Sequence, residues 1–299
     1  MTHRLPSGFR AACLAMAIAL GTCLPQGAAA TAQAAAARAS MQVMQIPSHG
    51  ERLNAIAYVA AGAGPHPTVV LLHGFPGYER NLDLAQDMRR AGWDVVYFDY
   101  RGSWGTPGAF SFGHAIEDAA SVLAYLHRPD VAKTLRLDPA RIVPVGHSMG
   151  GFIAVQAAAA DPAIKAFALI SGADMGGLFR QVRDAQGLPA ALKVASANLS
   201  GAGLAPLHGC SPDGLARELA DHASDWPFPA RVDALKDRAA FVVMADDPFA
   251  ATDDAFAAAL RKAGDARVDT LHLATDHVYS DHRIELSQAL LRWLASLPK

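Results

Sequence analysis

The sequence predicts an α/β fold, a mostly parallel sheet with helices on its faces. Three observations carry this. From residue 41 onward, short apolar runs alternate with amphipathic stretches; the runs at 68–72 and 95–98 are rich in β-branched and aromatic residues and stop abruptly at His73-Gly74 and Asp99; and residues 114–127 place Ile116, Ala119, Ala120, Leu123 and Leu126 at helical spacing. Strands apolar at every position are buried on both faces, and a helix with one apolar stripe packs as a crossover on the sheet. With 299 residues, 52% of them hydrophobic and 18% charged, one domain of this kind has ample material for its core.

The chain opens on Arg4 and Arg10, an apolar run at 11–20, and the small residues Ala28, Ala29 and Ala30. These are the three parts of a secretory signal, and the run is shorter than the ~20 residues of a spanning helix. The expectation is a signal peptide at 1–30, a flexible Ala-rich linker at 31–40, and a domain at 41–299 that is exported, periplasmic or secreted. No stable membrane span remains after cleavage. Leu20-Gly21-Thr22-Cys23 resembles a lipoprotein cleavage box with Thr22 a poor fit, so a lipid anchor is the lesser alternative. Cleavage after Ala30 removes Cys13 and Cys23, leaving Cys210 as a single thiol with no intrachain disulfide.

Residues 41–46 and 52–60 read as two strands turned at Ser48-His49-Gly50-Glu51. After the runs at 68–72 and 95–98 and the helix at 114–127 comes a strand at 141–145. It contains Pro144, which removes a ladder donor from a central strand, so a local bulge is expected there. A helix at 152–160, strands at 166–170, 241–244 and 268–273, and a closing helix at 284–294 complete the pattern. Between 173 and about 232 the rhythm stops. Glycines, prolines and short helical fragments there predict an insertion above the strand ends that serves as a small cap.

A formal net charge of −2 excludes the basic field that nucleic acid demands, so no nucleic-acid partner is expected. The chemistry centres on Gly146-His147-Ser148-Met149-Gly150, followed by Gly151, between the end of one predicted strand and the start of a helix. A serine nucleophile presented on a sharp, strained turn needs neighbours without side chains, so that the backbone can turn and a carbonyl can approach. The Met149 backbone N–H, at the helix start, is placed to face a developing oxyanion. His73-Gly74-Phe75-Pro76-Gly77 follows an earlier strand and offers a second donor, the Phe75 N–H.

The general base should follow the serine and the acid in the chain. Of twelve histidines, His277 lies between the last strand and the closing helix; His282, at the helix start, is the runner-up, and His272 reads as a packing or surface residue. The acid is expected just after 241–244, with Asp247 first, Asp246 the alternative one residue away, and Asp174 more distant. A metal site built from Asp276, His277, Asp281 and His282 matches no standard zinc spacing. Serine chemistry requires neither metal nor organic cofactor, and none is expected.

Together, H-G-F-P-G (73–77), D-Y-R-G-S-W-G (99–105), G-H-S-M-G-G (146–151), A-D-D-P (245–248) and T-D-H (275–277) make the chain from about residue 41 onward similar to the α/β-hydrolase superfamily. The run 93–108 resembles its dienelactone-hydrolase-like and prolyl-oligopeptidase-like branches, which include esterases and acyl peptidases. The resemblance implies an α/β-hydrolase fold with a mostly parallel eight-stranded sheet, and a structural role for 99–105. Pro144 and the short turn at 245–248 depart from that pattern. The expected activity is carboxylesterase-like hydrolysis through an acyl-enzyme. The substrate is a small-molecule ester or acyl compound, held in an apolar pocket shaped by Phe179, Leu188, Trp226 and Phe228. A serine peptidase or acyl-peptidase of the same fold, and a non-catalytic binding protein on this scaffold, are the alternatives. The sequence assigns no oligomeric state.

Overall fold

The computed structural model describes residues 37–264 and 267–298. The expected signal peptide and residues 31–36 of the expected linker lie outside them. Ser40 belongs to the first strand, where it pairs with Val59. Eight strands, β1 (Ser40–Ser48), β2 (Glu51–Val59), β3 (His66–Leu72), β4 (Asp94–Phe98), β5 (Leu137–His147), β6 (Ala166–Ile170), β7 (Ala239–Met244) and β8 (Val268–His272), form one sheet in the order β1-β2-β4-β3-β5-β6-β7-β8. The β1–β2 and β2–β4 pairs are antiparallel and the five others are parallel. The opening hairpin turns on His49 and Gly50, with φ of 46° and 88°, the left-handed pair that matches strand twist.

Helices cover both faces. Helix α1 (Leu82–Arg90) and α10 (Arg283–Ala295) lie on one; α2 (Phe112–Leu126), α3 (Pro129–Leu135), α4 (Met149–Ala160) and α9 (Ala250–Ala263) lie on the other. The period of two divides the central strands between these layers. Val69 and Leu71 face α1 and α10, whereas Val70 and Leu72 pack in the opposite cluster. Helices α1 and α9 carry short apolar stripes, Leu84, Ala85 and Met88 in one and Phe256, Ala257 and Leu260 in the other, too brief to stand out in the sequence.

Pro144 is accommodated differently from expectation. It pairs in register with Val70, and the irregularity in the β3–β5 ladder falls between His66 and Thr68 instead. Strand β6 pairs with β5 only from Val145 onward, so at Pro144 one side of the strand has no ladder to supply.

Between β6 and β7 the chain forms α5 (Met175–Gln186), α6 (Leu188–Ala202), α7 (Pro212–Asp221), a 3-10 turn at Phe228–Arg231 and α8 (Val232–Leu235). Two carboxylates, the buried Asp174 and the partly buried Glu218, tie this insertion down. Asp174 accepts from Gly177 N at the start of α5 (2.9 Å) and from Phe228 N at the far end of the insertion (3.2 Å). Glu218 of α7 accepts from the Phe112 and Gly113 N–H groups, both at 2.9 Å, at the start of α2.

The loop after β4 is held by Asp118. Its carboxylate accepts from Arg101 Nε (2.6 Å), Arg101 N (2.7 Å) and Ser48 Oγ (2.6 Å), joining the hairpin, the loop and α2. Arg101 and Asp118 are both buried, and removing one partner of such a pair leaves the other charge without compensation. Asp118→Ala is expected to lower the free energy of unfolding in urea by about 3–5 kcal/mol, with Asp118→Asn losing less.

Candidate active site

Strand β5 delivers Ser148 in a backbone conformation that a residue with a Cβ adopts only under strain, φ 58° and ψ −122°, directly before α4. Such a geometry costs about 1–3 kcal/mol and persists only where the surroundings over-determine it. Ser148 N donates to Ile170 O (3.0 Å), and Ser148 O accepts from Gly151 N (2.9 Å) and Ala173 N (3.0 Å). The glycines answer to close approach: a Cβ on Gly146 would lie 1.9 Å from Gly150 O, and one on Gly150 would lie 2.0 Å from Leu72 O. Above the serine passes the loop after β3. A Cβ on Gly74 would sit 3.0 Å from Ser148 Cβ and 3.5 Å from its Oγ. Among the described residues, neither the Phe75 nor the Met149 backbone N–H donates to a loop or cap carbonyl.

The loops after β7 and β8 bring in the other polar groups. His277 Nδ1–H donates to Asp247 Oδ2 at 2.8 Å, which leaves Nε2 as the unengaged ring nitrogen. Asp247 Oδ1 accepts from Phe249 N at 2.8 Å, and the Asp247 side chain is 3% exposed. Burial pushes its carboxyl up, but hydrogen bonds from His277, Ser171 and Phe249 N outweigh that and hold it below the usual carboxylate range. The Ser171 hydroxyl also bonds the Tyr279 hydroxyl at 2.8 Å.

The remaining candidates turn elsewhere. Asp246 faces His272, with 3.0 Å between Oδ1 and Nε2, on the exposed side of the same turn. Asp174 caps α5. His282 bonds Asp281 at 2.9 Å, and Asp276 accepts from Ser280 N and Oγ at 2.9 and 2.7 Å, so Asp276, Asp281 and His282 do not converge with His277 on one point.

Ser148 and His277 open on one cavity of about 650 Å³. The frame contributes Phe75, Met149 and Phe249 to its wall, and the insertion contributes Met175, Leu178, Phe179 and Val182 from α5 and Ala191, Val194, Ala195 and Leu199 from α6. Among the described residues, no Asp, Glu, Lys or Arg lines it, and Gln181 and Asn198 are the other polar side chains. Of the four residues expected to shape the pocket, Phe179 does. Leu188 is 48% exposed on the outside of α6. Trp226 and Phe228 are buried as anchors of the insertion, Trp226 against Phe112 and Phe152 and Phe228 against Phe256.

A model of the alpha/beta hydrolase family matches residues 69–289, which include the serine turn and both loops that carry Asp247 and His277. The chain belongs to this family. As an alpha/beta hydrolase it is 34% identical over 116 residues to an uncharacterized protein of Mycobacterium tuberculosis, a match covering 38% of this chain and 39% of that protein. The chain thus matches about two-fifths of that relative's length. Solved structures share the fold at low identity. A thermostable carboxylesterase cloned from a metagenomic library superposes with a TM-score of 0.62 at 22% identity, over 87% of this chain and 90% of the other. A hyperthermophilic esterase of the archaeon Pyrobaculum calidifontis gives 0.61 at 20%, over 86% and 85%. A carboxyl esterase of Bacillus coagulans gives 0.65 at 15%, over 86% and 98%.

Two buried histidines flank the serine turn, His73 on the β3 loop and His147 beside Ser148 itself. Burial lowers both from 6.5 to about 4, so both rings are neutral in the native protein at neutral pH. Below about 6.5 the unfolded chain therefore binds protons that the native state refuses until about pH 4, and stability falls with falling pH across that window. The urea midpoint is expected to be level above this window and to drop on acidification through it. Replacing either ring by phenylalanine should lessen the slope.

Proposed function

We propose that this alpha/beta hydrolase is a carboxylesterase-like serine hydrolase of uncharged carboxylic esters, working through an acyl-enzyme. The observation that carries the reading is the His277–Asp247 hydrogen bond on the same cavity as a serine held in a strained turn. Ser148 Oγ attacks the ester carbonyl carbon while His277 Nε2 takes its proton; Asp247 keeps Nδ1 protonated and stabilises the imidazolium. The Phe75 and Met149 N–H groups receive the oxyanion, each such donor being worth about 3–4 kcal/mol in the transition state. His277 then passes its proton to the departing alcohol. In the second half-reaction His277 deprotonates a water, which attacks the acyl carbon, and Ser148 regains its hydroxyl proton as the acid leaves.

The uncharged, largely apolar cavity favours an ester over a peptide whose charged terminus would need a partner. Carboxylesterases among the structures of the same fold point the same way. The reading of residues 1–30 as a secretory signal supports an exported site of action.

Turnover of p-nitrophenyl butyrate by the purified protein tests the reading. Ser148→Ala and His277→Ala should fall to background, and Asp247→Asn should lose about 10⁴-fold in kcat. Asp246→Asn should behave as wild type, and a monoester carrying a free carboxylate should be a poor substrate. Cleavage of peptides without esters would favour the peptidase, and folded protein with no turnover of either would favour a binding scaffold.

A further inference from the structure

His147, the residue before the nucleophile, is buried at the end of β5, with 4% of its surface exposed. Its Nε2 lies 2.8 Å from the backbone oxygen of His277, 130 positions further along the chain. A carbonyl oxygen can only accept, so Nε2 must carry the hydrogen. Nδ1 is then the bare nitrogen. It is buried and has no hydrogen-bond partner among the described residues, as suits a ring held neutral in one tautomer. The two rings also pack on each other, with centroids 4.7 Å apart and planes inclined at 38°.

We infer that His147 is a positioning residue for the base: its Nε2–H and ring face fix the His277 backbone to the serine turn, so that nucleophile and base move as one unit. The inference rests on the assignment of Ser148 and His277 above. His277 sits on the loop after β8, while Ser148 directly follows β5, and β6 and β7 lie between those strands. Asp247 orients the imidazole through Nδ1 but belongs to the β7 loop, so it does not tie the base to the nucleophile. The direct tie is the His147–His277 carbonyl bond.

The neutrality of His147 is part of the device. Burial, then the charge of a protonated His277 and the cationic Arg283, oppose its protonation, outweighing the bond to the His277 carbonyl and the Asp247 carboxylate, and its value falls to about 4. A second positive ring against His277 would oppose the imidazolium formed during attack. His147 does not touch the substrate cavity, whose lining includes Ser148, Met149 and His277 but not this ring.

The test uses the full mature protein with His147→Phe, which keeps a planar ring and removes the donor, and His147→Gln, which restores an N–H at similar reach. Misplacing a catalytic group by about 1 Å costs up to about 100-fold in rate. His147→Phe is therefore expected to lose between about 10- and 100-fold in kcat with KM nearly unchanged, to slow fluorophosphonate labelling of Ser148, and to shift the acid limb of the pH–kcat profile. His147→Gln should recover most of the rate. In wild type, ¹⁵N NMR at neutral pH should report a single neutral tautomer of His147 protonated at Nε2.

A folded His147→Phe with wild-type kcat and an unmoved acid limb overturns the inference, as does an Nδ1–H tautomer. If His147→Phe does not fold, the Gln variant decides: a rate far below wild type with an unchanged pH limb and thermal midpoint overturns it. Failure of wild type to react with the fluorophosphonate would overturn the underlying serine assignment and this inference with it. Labelling of wild type with no response to His147 removes only the latter.

Discussion

The backbone at Ser148 sits in a conformation that costs free energy, and the arrangement around it depends on the means by which that conformation is held. Four glycines make it possible. Gly146 and Gly150 let the turn close on itself and on the end of β3; Gly151 lets α4 approach Gly172, where a Cβ would come within 2.9 Å; and Gly74 lets the β3 loop pass over the serine. Backbone hydrogen bonds to Ile170 and Ala173 fasten the turn to the end of β6. Helix α4, buried through Ala158, fixes it from the other side. The strain is thus over-determined by packing, and the serine hydroxyl stands where the ends of three neighbouring strands meet.

The parallel sheet supplies the remaining geometry. Phe75 follows β3, Ser148 follows β5, Asp247 follows β7 and His277 follows β8, so each group comes from the carboxyl end of a strand running in the same direction. In an open α/β sheet that edge is where ligands bind, because the loops there are free to vary while the strands below hold their spacing. The insertion after β6 emerges at the same edge, and its helices α5 and α6 wall the cavity with apolar side chains. Its own stability comes from elsewhere: the Asp174 and Glu218 carboxylates and the buried Trp226 and Phe228 attach it to the frame. Anchoring and lining are separate sets of residues.

That separation marks where the sequence stops being legible. Central strands, the serine turn and the place of His277 are readable, because burial on both faces, glycine spacing and chain order leave one-dimensional traces. The choice between Asp246 and Asp247 has no such trace. Both follow β7 in one short turn, and the structure points Asp247 toward His277 and Asp246 toward His272, a difference of one residue in loop register. Aromatic residues of the insertion read alike whether they line a cavity or lock a helix to the core, so Phe179 met expectation and Trp226 and Phe228 did not. Pro144 looks like a defect in a central strand until the late start of the β6 ladder is known. The His147 tie joins residues 130 apart and leaves no periodic signal at all.

The central claim is that Ser148 is a nucleophile activated by His277. Its most direct test is intact-mass and peptide-mapping analysis of the purified protein after exposure to an alkyl fluorophosphonate. The account predicts a single covalent adduct, on the peptide that contains Ser148, formed at a rate that collapses in His277→Ala. A folded protein that takes up no reagent, or takes it up on another residue, would contradict it.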